Sequence, residues 1–355
     1  MTTDIYRQLQ ERLDLYSMGF PPTESGIEIK ILTYLFTEPD ANLFLALSPA
    51  LEAPDVIADR LSAPREETAA HLEQMAQKGL LFRLIKGDIK RYGAIPFVHG
   101  LFEFQVKNLT PELAKMVGNY FDEAFDQAMQ QNAAHFLRVI PVNKSIDLTH
   151  HVANYDDAVQ ILKSKDQIVV AECICRKRTK VMDQGCGKTL EACFMFGSMG
   201  QYYLDKQMGR KIPLEEAIAI LKDCREAGLV TQPATAQNPT GMCNCCGDCC
   251  GVLGAINKHP APASIVFSNH VVNIANQDCI GCELCLERCQ MDALALNEMG
   301  TIEMVENRCI GCGLCVTTCP VDALELIDKP DKELQIPPAT MGEQMMGMAK
   351  NRGIL

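Results

Sequence analysis

Cysteine is the residue type that carries the chemistry of this chain. There are eighteen among 355 residues, all of them from Cys173 onward. Disulfides persist in oxidising compartments, whereas cysteines two or three residues apart have the spacing of metal ligands, and soft thiolates select iron–sulfur clusters, zinc or copper(I). The clearest pattern is an internal repeat of thirty residues. Cys279-Ile-Gly-Cys-Glu-Leu-Cys-Leu-Glu-Arg-Cys-Gln-Met-Asp-Ala-Leu returns as Cys309-Ile-Gly-Cys-Gly-Leu-Cys-Val-Thr-Thr-Cys-Pro-Val-Asp-Ala-Leu. Each half reads C-x2-C-x2-C-x3-C, a run that seats three thiolates on one cubane and sends the fourth to the other. Zinc sites, with four ligands each, rarely use eight cysteines in two such runs.

On these residues the stretch from about 270 to 328 resembles the bacterial two-[4Fe-4S] ferredoxins. The resemblance implies that Cys279, Cys282, Cys285 and Cys319 hold one cluster and that Cys309, Cys312, Cys315 and Cys289 hold a second. It also implies that Gly281 and Gly311 let backbone amides approach the cluster sulfurs. Gln290 departs from the family pattern, which has proline at that point, while Pro320 keeps it.

A second constellation is less regular. Cys173-Ile-Cys175-Arg-Lys-Arg is followed by Cys186 and Cys193, then by Cys243-Asn-Cys245-Cys246-Gly-Asp-Cys249-Cys250. Cys243, Cys246 and Cys249 reproduce C-x2-C-x2-C, the triad that seats three corners of a cubane. Adjacent side chains diverge, so Cys245 and Cys250 are expected to face another site or none. These nine cysteines suggest one or two further iron–sulfur clusters shared between the two segments, with structural zinc or free redox thiols as the other readings. Arg176, Lys177, Arg178 and Lys180 lie beside them, where cations lower thiol pKa values; a basic solvated loop fits equally well. Cys224 reads as a small core residue, and His150, His151 and His259 lack ligand spacing. No phosphate-binding glycine loop is present, so no nucleotide or flavin site is expected.

The elements that must position these residues divide into four stretches: 1–100, 101–262, 263–328 and a tail at 329–355. The apolar stripe of Ile27, Ile31 and Leu35, a short helix after Pro54, and Pro64 to Lys78 predict helices. Leu80–Ile85 and Ile89–Ile95 predict a hairpin about Lys86-Gly-Asp. That order resembles a winged helix-turn-helix, a fold known for both DNA and protein contacts. Thr110 with Pro111 predicts a helix to about Gln131. Arg138–Val142 reads as a strand, and Val152–Leu162 and Leu214–Ala227 as helices. Thr231–Gly241 and Lys258–Ser264 read as loops. Met341, Met345, Met346 and Met348 are expected to pack back on their own domain. The fold class expected is α+β and multidomain: a winged-helix-like helical front, a cysteine-rich α/β middle domain and a ferredoxin-like C-terminal module.

The net charge of −12 is unevenly placed. From His270 to Asp328, ten acids stand against Arg288 and Arg308, a net of −8. Such a module repels nucleic acid and favours a redox protein with a basic docking face. The third front helix is acidic, which argues against DNA, although the hairpin is basic at Arg83, Lys86, Lys90 and Arg91. With no apolar run long enough to span a bilayer and no export signal, the expected location is the cytoplasm, under anaerobic conditions. The segments Cys173-Ile-Cys-Arg, Gly185-Cys, Cys193-Phe-Met-Phe-Gly and Met242-Cys-Asn-Cys-Cys make most of the chain resemble 4Fe-4S dicluster-domain proteins of anaerobic bacteria. That resemblance implies no substrate. The function expected is single-electron transfer to or from a larger oxidoreductase, as a non-catalytic component. Its alternatives are a redox-sensing regulator using the front, or a catalytic iron–sulfur site in the middle domain.

Overall fold

Capping signals punctuate the front of the chain. In the computed structural model, which describes residues 2–142 and 156–355, helices span Thr2–Asp14, Ile27–Leu35, Glu38–Leu45, Pro54–Leu61 and Arg65–Gln77. The Thr37 hydroxyl accepts from the amide of Asp40 while the Asp40 carboxylate accepts from the amide of Thr37, a reciprocal cap on the third helix. Two of these five helices, Thr2–Asp14 and Glu38–Leu45, have no counterpart in the reading from sequence. Strands β1 (Phe82–Lys86) and β2 (Ile89–Gly93) form the expected antiparallel hairpin, turning at Gly87 with φ of 59°.

The helix opened by Thr110 and Pro111 runs from Pro111 to Tyr120, passes through a π turn at Phe121–Phe125 and continues from Asp126 to Phe136. It therefore extends a turn beyond the expected end. Arg138–Val142 forms no named strand: Arg138 bridges Phe267, and the amides of Val139, Ile140 and Val142 donate to the carbonyls of Phe267, Thr231 and Cys312. Of the helix expected over Val152–Leu162, Ala158–Lys163 is seen, and the part before Asp156 lies outside the described residues.

The middle region is built on a five-stranded antiparallel sheet. Its strands are β3 (Ile168–Glu172), β4 (Glu191–Phe196), β5 (Gly209–Ile212), β6 (Val230–Pro233) and β7 (Gly241–Cys245), in the order β5-β3-β4-β7-β6. Strand β6 falls in a stretch that composition marks as loop. Its Thr231, Gln232 and Pro233 are all buried, since the sheet edge is covered rather than solvated. The helix Leu214–Glu226 buries Ala217, Leu221 and Cys224 against the sheet.

In the C-terminal module, β8 (His270–Ile274) pairs with β11 (Leu324–Asp328), and β9 (Leu294–Leu296) pairs with β10 (Ile302–Met304). A small core of Val272, Leu294, Ile302 and Leu324 lies between the ladders. A larger apolar cluster is continuous from Tyr6 to Met348. The tail explains that reach. Its helix, Met341–Asn351, packs on Asp126–Phe136, and Arg352 pairs with Asp14 at 3.1 Å. Met348 is fully buried there, while Met345 and Met346 stay exposed. Met348, beside Ser17, thus packs on the front of the chain rather than on a domain of the tail's own. Among the described residues, no helix is long and apolar enough to cross a membrane.

Candidate metal centres

The repeat sorts its eight cysteines into two cavities. Cys279, Cys282, Cys285 and Cys319 line one of about 330 Å³. Cys289, Cys309, Cys312 and Cys315 line another of about 390 Å³. In each group three cysteines come from one half of the repeat and the fourth from the other. The turns between the first two cysteines demand glycine. Gly281 and Gly311 sit at φ of 66° and 67°, and a Cβ would lie 2.2 Å from the carbonyl oxygen of Gly300 or of His270 respectively. Only a hydrogen allows that approach. Four convergent soft donors and a cavity of this kind fit a [4Fe-4S] cluster in each case. The two sites differ in exposure. Cys282 is exposed, with Ile280 and Leu284 beside it also exposed, whereas burial pushes the Cys312 thiol of the second site up to about 12.

Gln290, the departure from proline, faces the middle region. Its Oε1 accepts from the amide of Gly247 at 2.7 Å, and its Nε2 donates to the carbonyl of Gly228 at 3.1 Å. Gly247 follows Cys246, so this side chain bridges two cysteine segments. Proline has no group for either bond.

The nine middle cysteines separate into two groups. The pairing of β4 with β7 sets Cys193 opposite Cys243. Alternation along β7 puts Cys243 and Cys245 on one face and Asn244 on the other. Asn244 is fully buried, donating to the carbonyl of Ala192 at 3.0 Å and accepting from the Thr231 hydroxyl at 2.9 Å. Past the strand end the chain turns. Cys246 and Cys249 then join Cys186, their three sulfurs lying within 4.8 Å of one another. The triad of Cys243, Cys246 and Cys249 read from spacing is therefore not assembled, because Cys243 belongs to the strand and the other two to the turn after it.

The three-thiol group is well supplied with donors. Thr179 donates its hydroxyl to the Cys249 sulfur at 3.1 Å, and Arg176 reaches the Cys246 sulfur with Nη1 at 3.9 Å. Hydrogen bonding from the Cys246 thiol, then from Thr179, outweighs burial and brings Cys249 down to about 7. Arg176 is buried, held by the carbonyls of Thr189 at 2.7 Å and Asn244 at 3.0 Å. Of the four basic residues beside Cys175, it is the one that reaches a sulfur. Lys177 pairs with Glu172 at 2.5 Å, Arg178 lies over the Phe121 ring, and Lys180 is exposed. Cys224 packs with Ala192 and Leu229 beside this group, and burial raises its thiol to about 12.

Cys173, Cys175, Cys193, Cys243, Cys245 and Cys250 line a third cavity of about 680 Å³. Two residues unremarked in the sequence stand in its wall. His99, at φ of 58° and tilted against the Phe136 ring with centroids 4.4 Å apart, contacts the Cys243 sulfur. Burial pushes the carboxyl of Glu103 up to about 7, against the pull of His99 and of the Gly100 amide that it accepts at 2.9 Å. Both come from a distant segment, so no local spacing could have revealed them. His259 accepts from the amide of Ala261 at 3.1 Å, and His150 and His151 lie outside the described residues.

Two crossed sets of four cysteines around glycine turns mark this C-terminal stretch as a module for two [4Fe-4S] clusters. Consistent with this, residues 272–326 match the family model of the 4Fe-4S dicluster domain, and the match covers no other part of the chain. Comparison with curated proteins and with solved structures finds no match for this chain.

Proposed function

We propose that this protein is an electron-transfer protein or subunit that relays single electrons between a redox protein and a larger oxidoreductase. The observation that carries the reading is the sorting of eight cysteines, four and four, into two cavities in the crossed pattern. A [4Fe-4S] cluster bound in each supplies reversible one-electron exchange. The chain's own residues supply direction. Cys282, with Ile280 and Leu284, presents the first site to solvent. Gln290 ties the segment holding the second site to the Cys246 turn. The three thiols of Cys186, Cys246 and Cys249 would hold a further centre on the inner side of that link. All ten acids from Asp278 to Asp328 are exposed, which favours a partner with a basic docking face.

The regulator reading needs a winged-helix-like front with free cations on its hairpin. Arg83 is instead buried against Glu73 and Asp205, and Lys90 pairs with Glu73 at 3.3 Å, so the relay is favoured. Iron analysis and EPR of anaerobically prepared protein test it. About eight irons in two interacting reducible clusters are expected from the C-terminal module alone, and fewer than about eight per chain would refute the relay.

A further inference from the structure

The six thiols that line the third cavity form a closed circuit. Cys173 adjoins Cys175 and Cys193; Cys250 adjoins Cys175 and Cys245; Cys243 adjoins Cys193 and Cys245. Three separate pieces of backbone converge to make it: the start of helix Ile174–Lys180, the paired strands β4 and β7, and the start of helix Gly251–Lys258. Donors point at its sulfurs. The amide of Leu253 donates to Cys250 at 3.4 Å and His99 contacts Cys243, while the charge of the nearby Arg176 guanidinium, which donates to Cys246 instead, favours thiolates at Cys173, Cys193 and Cys245. Ordinary apolar packing of cysteine would fill its space, whereas these six face a shared cavity.

The two cavities that fit cubanes are each lined by four thiols. The third cavity is lined by six. One zinc ion takes four ligands and would leave two thiols over, as would one cubane. We propose that Cys173, Cys175, Cys193, Cys243, Cys245 and Cys250 together ligate a single polynuclear iron–sulfur centre larger than a cubane, separate from the Cys186, Cys246 and Cys249 site. This goes beyond the relay and is independent of it, because iron in the 272–326 module is distinguished by its own signals.

The full chain, purified anaerobically, is to be assayed for iron, sulfide and zinc and by Mössbauer spectroscopy. Two cubanes account for about eight irons and one at the three-thiol site for about four, so with a centre of more than about four irons in the six-thiol cavity a total above about sixteen is expected. Each of the six Cys→Ala variants should lower iron and alter the same Mössbauer component while the EPR of the dicluster module persists. Cys224→Ala should leave both unchanged. A total of about sixteen or fewer overturns the proposal. So do two silent variants among the six, which would mean a four-ligand cubane, and stoichiometric zinc that the six variants release. Should the variants fail to fold, the unmodified protein still decides, since its iron total and the mass of the intact holoprotein fix the size of the centre.

Discussion

Gln290→Met removes the bridge between the dicluster module and the middle region while keeping the side chain's length. Two hydrogen bonds are lost, leaving the amide of Gly247 and the carbonyl of Gly228 without the partner they have now. Gly228 is buried, but Gln290 and Gly247 are half-buried, so water partly replaces the lost bonds. From a cost of roughly 1–3 kcal/mol for an unsatisfied buried group, the lower part of the range applies, about 1–2 kcal/mol in all. At about 1.4 kcal/mol per factor of ten, the opening that exposes the Gly247 amide becomes roughly tenfold more frequent. Hydrogen exchange measured on the holoprotein should show Gly247 exchanging about tenfold faster. The β1–β2 hairpin, far along the chain and tied by its own ion pairs, serves as the internal control and should not change. Iron content should stay as in the unmodified protein, since no ligand is touched. Unchanged exchange at Gly247, or equal acceleration in the hairpin, would refute the assignment of Gln290 as a local link.

Burial pushes the carboxyl of Asp40 up, but hydrogen bonds from Lys78, His71 and Thr37 outweigh it and hold the group at about 2 rather than the ordinary 3.8. A folded value below the unfolded one gives stability that is present above about pH 4 and lost as pH falls through about 2. Discounted for screening, this is about 1 kcal/mol, so Asp40→Asn should lower the urea midpoint at pH 7, and the gap should close by about pH 2; a constant gap would refute it. In Gly311→Ala the new Cβ would meet the His270 carbonyl and the Ser268 hydroxyl from a left-handed backbone, so about four irons should be lost and the Cys279 site retained; full iron content would refute the close approach. At low salt, a cationic viologen radical should reduce the protein about tenfold faster than an anionic one, with the ratio collapsing near ~0.5 M salt; equal rates at low salt would refute acid steering.

The sequence is legible where ligand spacing is local. The repeat from Cys279 to Cys319 contains its own geometry, because three ligands of each site fall within one short turn and the glycines between them are forced. The middle region is legible only in part. Divergence of adjacent residues separates Cys245 from Cys246, as the strand end does in the structure. The spacing of Cys243, Cys246 and Cys249 misleads, since a pattern drawn for a loop was read across a strand boundary. A signal was present in the Cys-x-Cys pair 243 with 245, because residues two apart on a strand share a face, whereas Cys173 and Cys175 stand at the start of a helix. The partner strand carrying Cys193 and the wall carrying His99 and Glu103 come from far along the chain, and only tertiary pairing brings them in. Strand β6 escaped for a related reason: its polar residues are buried by neighbours that local composition does not show.

The joint between the dicluster module and the middle region also accounts for the module's one-sided charge. From His270 to Asp328 there are two arginines, and both face inward. Arg288 donates to the carbonyls of Arg225 and Glu226 at 2.8 and 2.7 Å, the C-terminal turn of helix Leu214–Glu226, where a cation also meets the negative end of the helix dipole. Arg308 donates to the carbonyls of Met291 at 2.6 Å and Asn257 at 3.1 Å, binding the module internally and to the helix Gly251–Lys258 that begins beside Cys250. With both cations drawn into the joint, the outer face carries only acids. The same contacts that fix the inner site against the Cys246 turn therefore leave the solvent-facing site, at Cys282, inside a negative field. An electron-transfer partner recognised by charge would be guided to the outer site, while the inner one stays bonded to the rest of the chain.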